Sequence, residues 1–178
     1  MKINAETLRR YIDIPEDGRE LRNLLDDIGV EVKRHDESNG KFTLELLANR
    51  GDHHCYVGLA REISGRTGAP TCRPSFAELQ TGTAPIDLKI RTDLCSRYSA
   101  TLLEKTGDAS EFSAAERAPL DAAEIHSVSP AVDATNLSNT EIGQPTHVFD
   151  ADKIDGDIVI RLSVAGETAW PLFQEGHV

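Results

Sequence analysis

The run Asp52-His53-His54-Cys55 is the densest group of side chains able to ligate a metal or move a proton in this 178-residue sequence. Neighbouring residues in a helix or strand point in different directions, so the run does not by itself build one coordination sphere. No Cys-x-x-Cys or His-x-x-x-His pair supplements it. The expectation is therefore no metal and no cofactor, and a loop running into a helix at this point. The three cysteines, Cys55, Cys72 and Cys95, are odd in number and unevenly spaced, which argues for reduced thiols over a disulfide framework. There is no Gly-rich phosphate loop and no Ser, His and Asp set with elbow spacing around a nucleophile. Activation of an amino acid with a nucleotide lies outside what this chain alone is expected to do.

Composition narrows the field further. Lys and Arg number 19 against 30 Asp and Glu, a formal charge of −11, so a general phosphate-binding surface is excluded and any RNA contact must be local, weak and salt-sensitive. A hydrophobic share of 39% suits a globular chain with a real core. No apolar run approaches the roughly 18 residues of a membrane span, and Met1-Lys2-Ile3-Asn4-Ala5-Glu6 lacks an apolar leader, so the expected location is cytoplasmic with no membrane partner.

The elements that must position any site follow from periodicity. Asn4 caps a helix carrying Leu8, Tyr11 and Ile12; Asp17 caps a second carrying Leu21, Leu24, Leu25 and Ile28, stopped by Gly29. Val30 and Val32 alternate with charged residues, Ser38-Asn39-Gly40 is a turn, and Phe42, Leu44 and Leu46 recur at period two, which predicts a β-hairpin. A helix carrying Tyr56, Leu59, Ala60 and Ile63 follows, with Asp52 as expected N-cap and Gly65 or Gly68 near its end. The expected division is a helix and hairpin module over 1–70, a linker over 71–85 and a second domain over 86–178. In that domain Ile86, Leu88 and Ile90 predict a strand, Tyr98–Leu103 another, Ser113–Ile125 a helix damaged by Pro119, and Val128–Thr135 and Ile158–Leu162 further strands. The fold class is α+β.

Asn49-Arg50-Gly51-Asp52, followed by Gly58-Leu59-Ala60-Arg61-Glu62-Ile63 and Thr67-Gly68, resembles the "PNRGD…GIARE…TG" signature of the bacterial phenylalanyl-tRNA synthetase beta subunit. Cys95-Ser96-Arg97-Tyr98 is similar to that family's Cys-Pro-Arg-Tyr segment. Val132-Asp133-Ala134-Thr135-Asn136 and Glu141 to Asp150 resemble its "VVDVTN…ELGQPMHAFD" core. Lys153-Ile154, Gly156, Ile158-Val159, Arg161 and Gly166-Glu167-Thr168 continue in register. The resemblance implies an N-terminal module followed by part of an editing module, the mixed α/β domain in which mischarged aminoacyl esters are hydrolysed. Two departures matter. The oligonucleotide-binding barrel that the family inserts in its N-terminal module is missing at Ser38-Asn39-Gly40. The distal Gly-rich segment and glutamate of the editing pocket are not found before Val178, so the expectation is a shortened, stand-alone relative.

What the resemblance carries over is the proximal half of that pocket. It implies that Thr135 and Asn136 hold the amino-acid portion and that His147 orients a water or the tRNA terminus. In a segment resembling "GIRSID", the arginine position holds His126 and the glycine position holds Glu124, a possible acid and base pair. Plainer roles stand beside these. Asn136 and Gly143 fit the N-cap and terminating glycine of a short helix, His147 fits a satisfied core histidine, and Glu124 and His126 fit the exposed end of a helix. Asp133 fits a buried hydrogen-bond acceptor. The function implied is an aminoacyl-tRNA-linked accessory protein that recognises an aminoacyl group and hydrolyses or transfers it. The alternatives are a non-catalytic interaction module, paired with a second copy or a synthetase-like chain, and a small-molecule amino-acid enzyme reusing the pocket. A chain cut after Gly166-Glu167-Thr168 is also expected to expose apolar surface near Trp170, Leu172 and Phe173.

Overall fold

A computed structural model of the protein describes residues 1–72, 86–104, 107 and 111–168. All of the expected linker but Thr71 and Cys72, and the apolar residues Trp170, Leu172 and Phe173, lie outside them. The chain is α+β and forms two compact units, Met1–Glu78 with Gly107–Val148, and Leu79–Thr106 with Phe149–Val178. This grouping differs from the expected one. Residues 107–148 join the N-terminal module instead of the second domain.

The first unit is built on a three-stranded antiparallel sheet in which β3 (Lys41–Glu45) lies between β1 (Lys2–Asn4) and β2 (Glu31–Asp36). The register sets Ile3 opposite Phe42 and Val32 opposite Leu44, so the period-two apolar residues share one face. The turn between β2 and β3 is tight, and no domain is inserted there. Against this face pack α1 (Ala5–Arg9), α2 (Gly18–Asp27) and α3 (Tyr56–Thr67), burying Leu8, Leu21, Leu25, Leu59 and Ile63 together with Ile12, which lies just beyond α1. The expected caps are present. Asn4 accepts from the Thr7 N–H at 3.2 Å, and Asp17 accepts from Arg19 and Glu20 at 2.8 and 3.1 Å. After α3 the chain returns beside α1, where the Cys72 N–H donates to the Tyr11 carbonyl at 2.7 Å.

Two further helices complete this unit. Ser113 and Glu116 form a reciprocal capping box that starts α4 (Ala114–Ala123). The helix runs through Pro119 unbroken. A proline cannot donate to the carbonyl four residues back, here Ala115, and that acceptor is taken by the Arg10 guanidinium. The orphan that should weaken α4 thus ties it to the end of α1.

The expected strand over Val128–Thr135 is corrected: Pro130–Ile142 is the helix α5. Its N-cap is Ser129, whose hydroxyl accepts from the Val132 N–H at 3.3 Å, with Pro130 in the first turn, where its missing N–H costs nothing. Asn136 therefore stands inside the helix and not at its cap. Gly143 does end it, with φ of 73°. A Cβ there would meet the Cys55 sulfur at 3.0 Å, so glycine serves both the left-handed turn and the approach of α5 to α3.

In the second unit β4 (Leu88–Ile90) and β5 (Ile158–Ile160) pair in parallel, with Leu88 opposite Ile158. The strand expected over Tyr98–Leu103 is corrected, because nothing among the described residues pairs with that segment, which runs without regular structure and is exposed beyond the half-buried Tyr98.

Candidate functional site

The two halves of the Asn49–Asp52 and Gly58–Ile63 signature meet in space. Gly51–His53 is a single 3-10 turn, and the expected Asp52 cap is corrected: the N-cap of α3 is Cys55, whose sulfur accepts from the Gly58 N–H at 3.3 Å. Asp52 instead takes both arms of the Arg50 fork, at 3.0 and 2.9 Å, while the same guanidinium reaches Glu62 on α3 at 2.5 Å. Buried His53 places Nε2 3.4 Å from Glu62. Ligand atoms of Asp52, His53 and Glu62 lie within 4.8 Å of one another, a spacing that a cation can bridge. The guanidinium of Arg50 already stands between the carboxylates. This cluster was not legible as a unit in the sequence; the signal was an arginine with acidic residues two and twelve positions on.

Arg50 holds both carboxyls below their ordinary range, Asp52 at about 2. A carboxyl whose folded value is depressed contributes stability above its unfolded value, and that contribution is lost as pH falls toward the folded one. We therefore expect the urea midpoint to drop between about pH 4, the unfolded carboxylate range, and about pH 2. Arg50→Gln is expected to flatten that part of the profile, measured by urea titrations at stepped pH.

The four residues expected to act on a substrate all belong to the first unit. Thr135 and Asn136 are consecutive on α5, about 100° apart around its axis. Both are half-buried. The Thr135 hydroxyl donates to the Val132 carbonyl at 2.7 Å, so its proton is committed and only its lone pairs are free. The Asn136 carbonyl accepts from Thr140 at 2.7 Å, while its side-chain amide has no hydrogen-bond partner among the described residues. His147 lies beyond Gly143 and is exposed, which corrects the core-histidine alternative.

His126 is exposed as well, between α4 and α5. Asp133 fixes the segment beside it. Buried at the start of α5, it accepts from the Ser127 hydroxyl and, at 3.0 Å, from the Val128 N–H, and these bonds hold its carboxyl below the usual range. Glu124 is not paired with His126. It ends α4 in the left-handed region, with φ of 61°, and its carboxylate meets Lys2 at 2.5 Å. That conformation is the one glycine adopts without strain, which accounts for the glycine of the "GIRSID" pattern at this position. No hydrogen bond joins His126 to Thr135 or Asn136 among the described residues.

The helices carrying these residues are held to the N-terminal module by one polar network. The Tyr11 hydroxyl donates to Glu141 on α5, and Arg10 stands 3.9 Å from the same carboxylate. Burial and the Glu141 bond push the Tyr11 hydroxyl well above its ordinary range.

Residues 94–177 match the B3/4 domain, so the class of protein that carries these helices is a B3/4-containing one. The chain as a whole is related to the bacterial phenylalanine–tRNA ligase beta subunit. It is 31% identical to that of Neisseria gonorrhoeae over 168 residues, covering 88% of this chain and 21% of the relative. With the beta subunit of Bordetella pertussis it shares 36% identity over 132 residues, 71% of this chain and 16% of the relative, and with that of Ralstonia nicotianae 32% over 143 residues, 79% and 18%. The chain thus spans about a fifth of the length of these relatives. Among the described residues no helix is long and apolar enough to cross a membrane.

Proposed function

We propose that the chain works in a tRNA-synthetase-related role, as an accessory module that recognises the aminoacyl group of a charged tRNA and hydrolyses or transfers it. The observation that carries this reading is the B3/4 match over residues 94–177, which takes in Thr135, Asn136, His126 and His147 together. Free lone pairs on Thr135 suit the α-ammonium of an aminoacyl ester, a donor with no acceptor capacity, and the unpaired Asn136 amide suits its carbonyl. An exposed imidazole at His147 serves as general base. It takes a proton from water as the oxygen attacks the ester carbon, and returns it to the departing ribose oxygen as the carbon–oxygen bond breaks, leaving a free carboxyl. His126, in a segment fixed by Asp133, is the second group assigned to proton transfer.

The experiment is turnover of a mischarged aminoacyl-tRNA or an aminoacyl ester by the full chain. His147→Ala is expected to lower turnover by about 10²–10⁴-fold. The residue is exposed, so the melting temperature should stay within about a degree. Failure of the parent to turn over any aminoacyl ester removes the catalytic part of this reading. It would favour the second one, a non-catalytic interaction module, which the exposure of Leu94 at 81%, Leu103 at 75% and Leu162 at 60% supports.

A further inference from the structure

The second unit contains a sheet edge whose sequence is complementary to itself. β5 is held to β4 by the Ile158 N–H donating to the Asp87 carbonyl at 2.9 Å and by the Ile160 carbonyl accepting from the Arg91 N–H at 2.8 Å. Backbone groups alternate sides along a strand, so the N–H and carbonyl of Val159 face the opposite edge. No strand among the described residues pairs with that edge. The β5 segment reads Asp157-Ile158-Val159-Ile160-Arg161, with Val159 37% exposed. Laid antiparallel against a second copy about a two-fold axis at Val159, it exchanges both hydrogen bonds between the two Val159 residues. It sets Ile158 opposite Ile160 and Asp157 opposite Arg161, twice over, beside the partners these charges already hold within the unit, Lys89 for Asp157 and Glu167 for Arg161.

β4 reads Asp87-Leu88-Lys89-Ile90-Arg91, and because the backbone groups of its central Lys89 face β5, its open edge does not offer the same exchange at the strand centre. A two-stranded sheet of three-residue strands also has little stability of its own. We propose that the open edge of β5 is a docking site for a second copy of this chain, joining two sheets into one four-stranded sheet through an isologous Val159-centred pair.

The test is the mass of the full chain in solution by light scattering, under reducing conditions so that Cys72 and Cys95 do not cross-link. The parent is expected to be a dimer at micromolar concentration. Val159→Pro removes only the N–H that faces the open edge, leaves the bonds to β4 in place, and is expected to give a monomer with an unchanged circular dichroism spectrum. A charge exchange decides independently. Arg161→Glu sets acid against acid across the axis and Asp157→Arg sets base against base, so each variant alone should be monomeric. Mixed one to one, they restore both ion pairs and should form a heterodimer. A monomeric parent, a dimer that survives Val159→Pro, or a mixture that stays monomeric overturns the assignment. The aminoacyl-ester assay does not bear on it, since none of these residues belongs to the proposed pocket.

Discussion

Gly58→Ala is expected to destabilise the protein by about 3 kcal/mol, at the upper end of what overpacking of a core costs. A Cβ built at this position lies 1.7 Å from the Asp52 carbonyl oxygen and 2.8 Å from its carbon, and both are backbone atoms that no rotamer can move. The only relief is to push the Gly51–His53 turn off the start of α3. That displacement also pulls Asp52 and Arg50 away from Glu62. Helix propensity works in the opposite direction, since alanine is about 1 kcal/mol better than glycine in a helix interior, but a clash of this size outweighs it. Gly65 gives the contrast. It sits in the same helix with nothing within 4 Å of its Cβ position, so Gly65→Ala should stabilise by about 1 kcal/mol. Denaturant titrations of the two variants are expected to move in opposite directions from the parent. A Gly58→Ala midpoint equal to the parent's would show that the turn and helix are not in fixed contact.

The second large effect is expected at Tyr56, which is fully buried where α1, α3 and the sheet meet. Its hydroxyl accepts the Asn4 N–H at 2.8 Å, at the point where β1 gives way to α1, and its ring stacks at 6.3 Å on Tyr11. Burial raises the hydroxyl to about 12 and keeps it neutral over the whole range in which the protein is handled. Tyr56→Ala should cost about 3–5 kcal/mol, the range for deleting a buried aromatic side chain. Tyr56→Phe separates the ring from the hydroxyl. It leaves the Asn4 N–H without its partner and is expected to cost about 1–3 kcal/mol. Parallel urea titrations would measure both, and a Phe variant as stable as the parent would mean that the Asn4 N–H finds another acceptor.

Local signals accounted for much of the first unit. Asn4 and Asp17 as caps, the alternation that gives β2 and β3, and the terminating Gly68 and Gly143 are each determined within a few residues. The same reasoning failed where two local signals competed. Val128, Val132 and Thr135 are β-branched and suggest a strand, yet Ser129-Pro130 is a helix start, and α5 is stabilised further by Asp133 binding Ser127 and Val128. Asp52 looked like a cap because aspartate is the commoner capping residue; Cys55 holds the place because Arg50 claims Asp52. Thr135, Asn136, His126 and His147 came from a family resemblance, and periodicity alone carries no information about their hydroxyl and amide partners. Pairs such as Lys2 with Glu124 and Tyr11 with Glu141 are separated by too much chain for any local rule to connect them.

The bond between Tyr11 and Glu141 also bears on how the protein is made. At an elongation rate of about 5–20 residues per second, the first three helices and the hairpin emerge several seconds before α5 does. During that interval the Tyr11 hydroxyl and the guanidinium of Arg10 have neither of their eventual acceptors, Glu141 and the Ala115 carbonyl. The first unit therefore begins as an unfinished surface at the end of α1 and closes only across a gap of 130 positions in the sequence. Since the entropy of closing a loop grows only with the logarithm of its length, this long wait affects the rate of folding far more than the final stability.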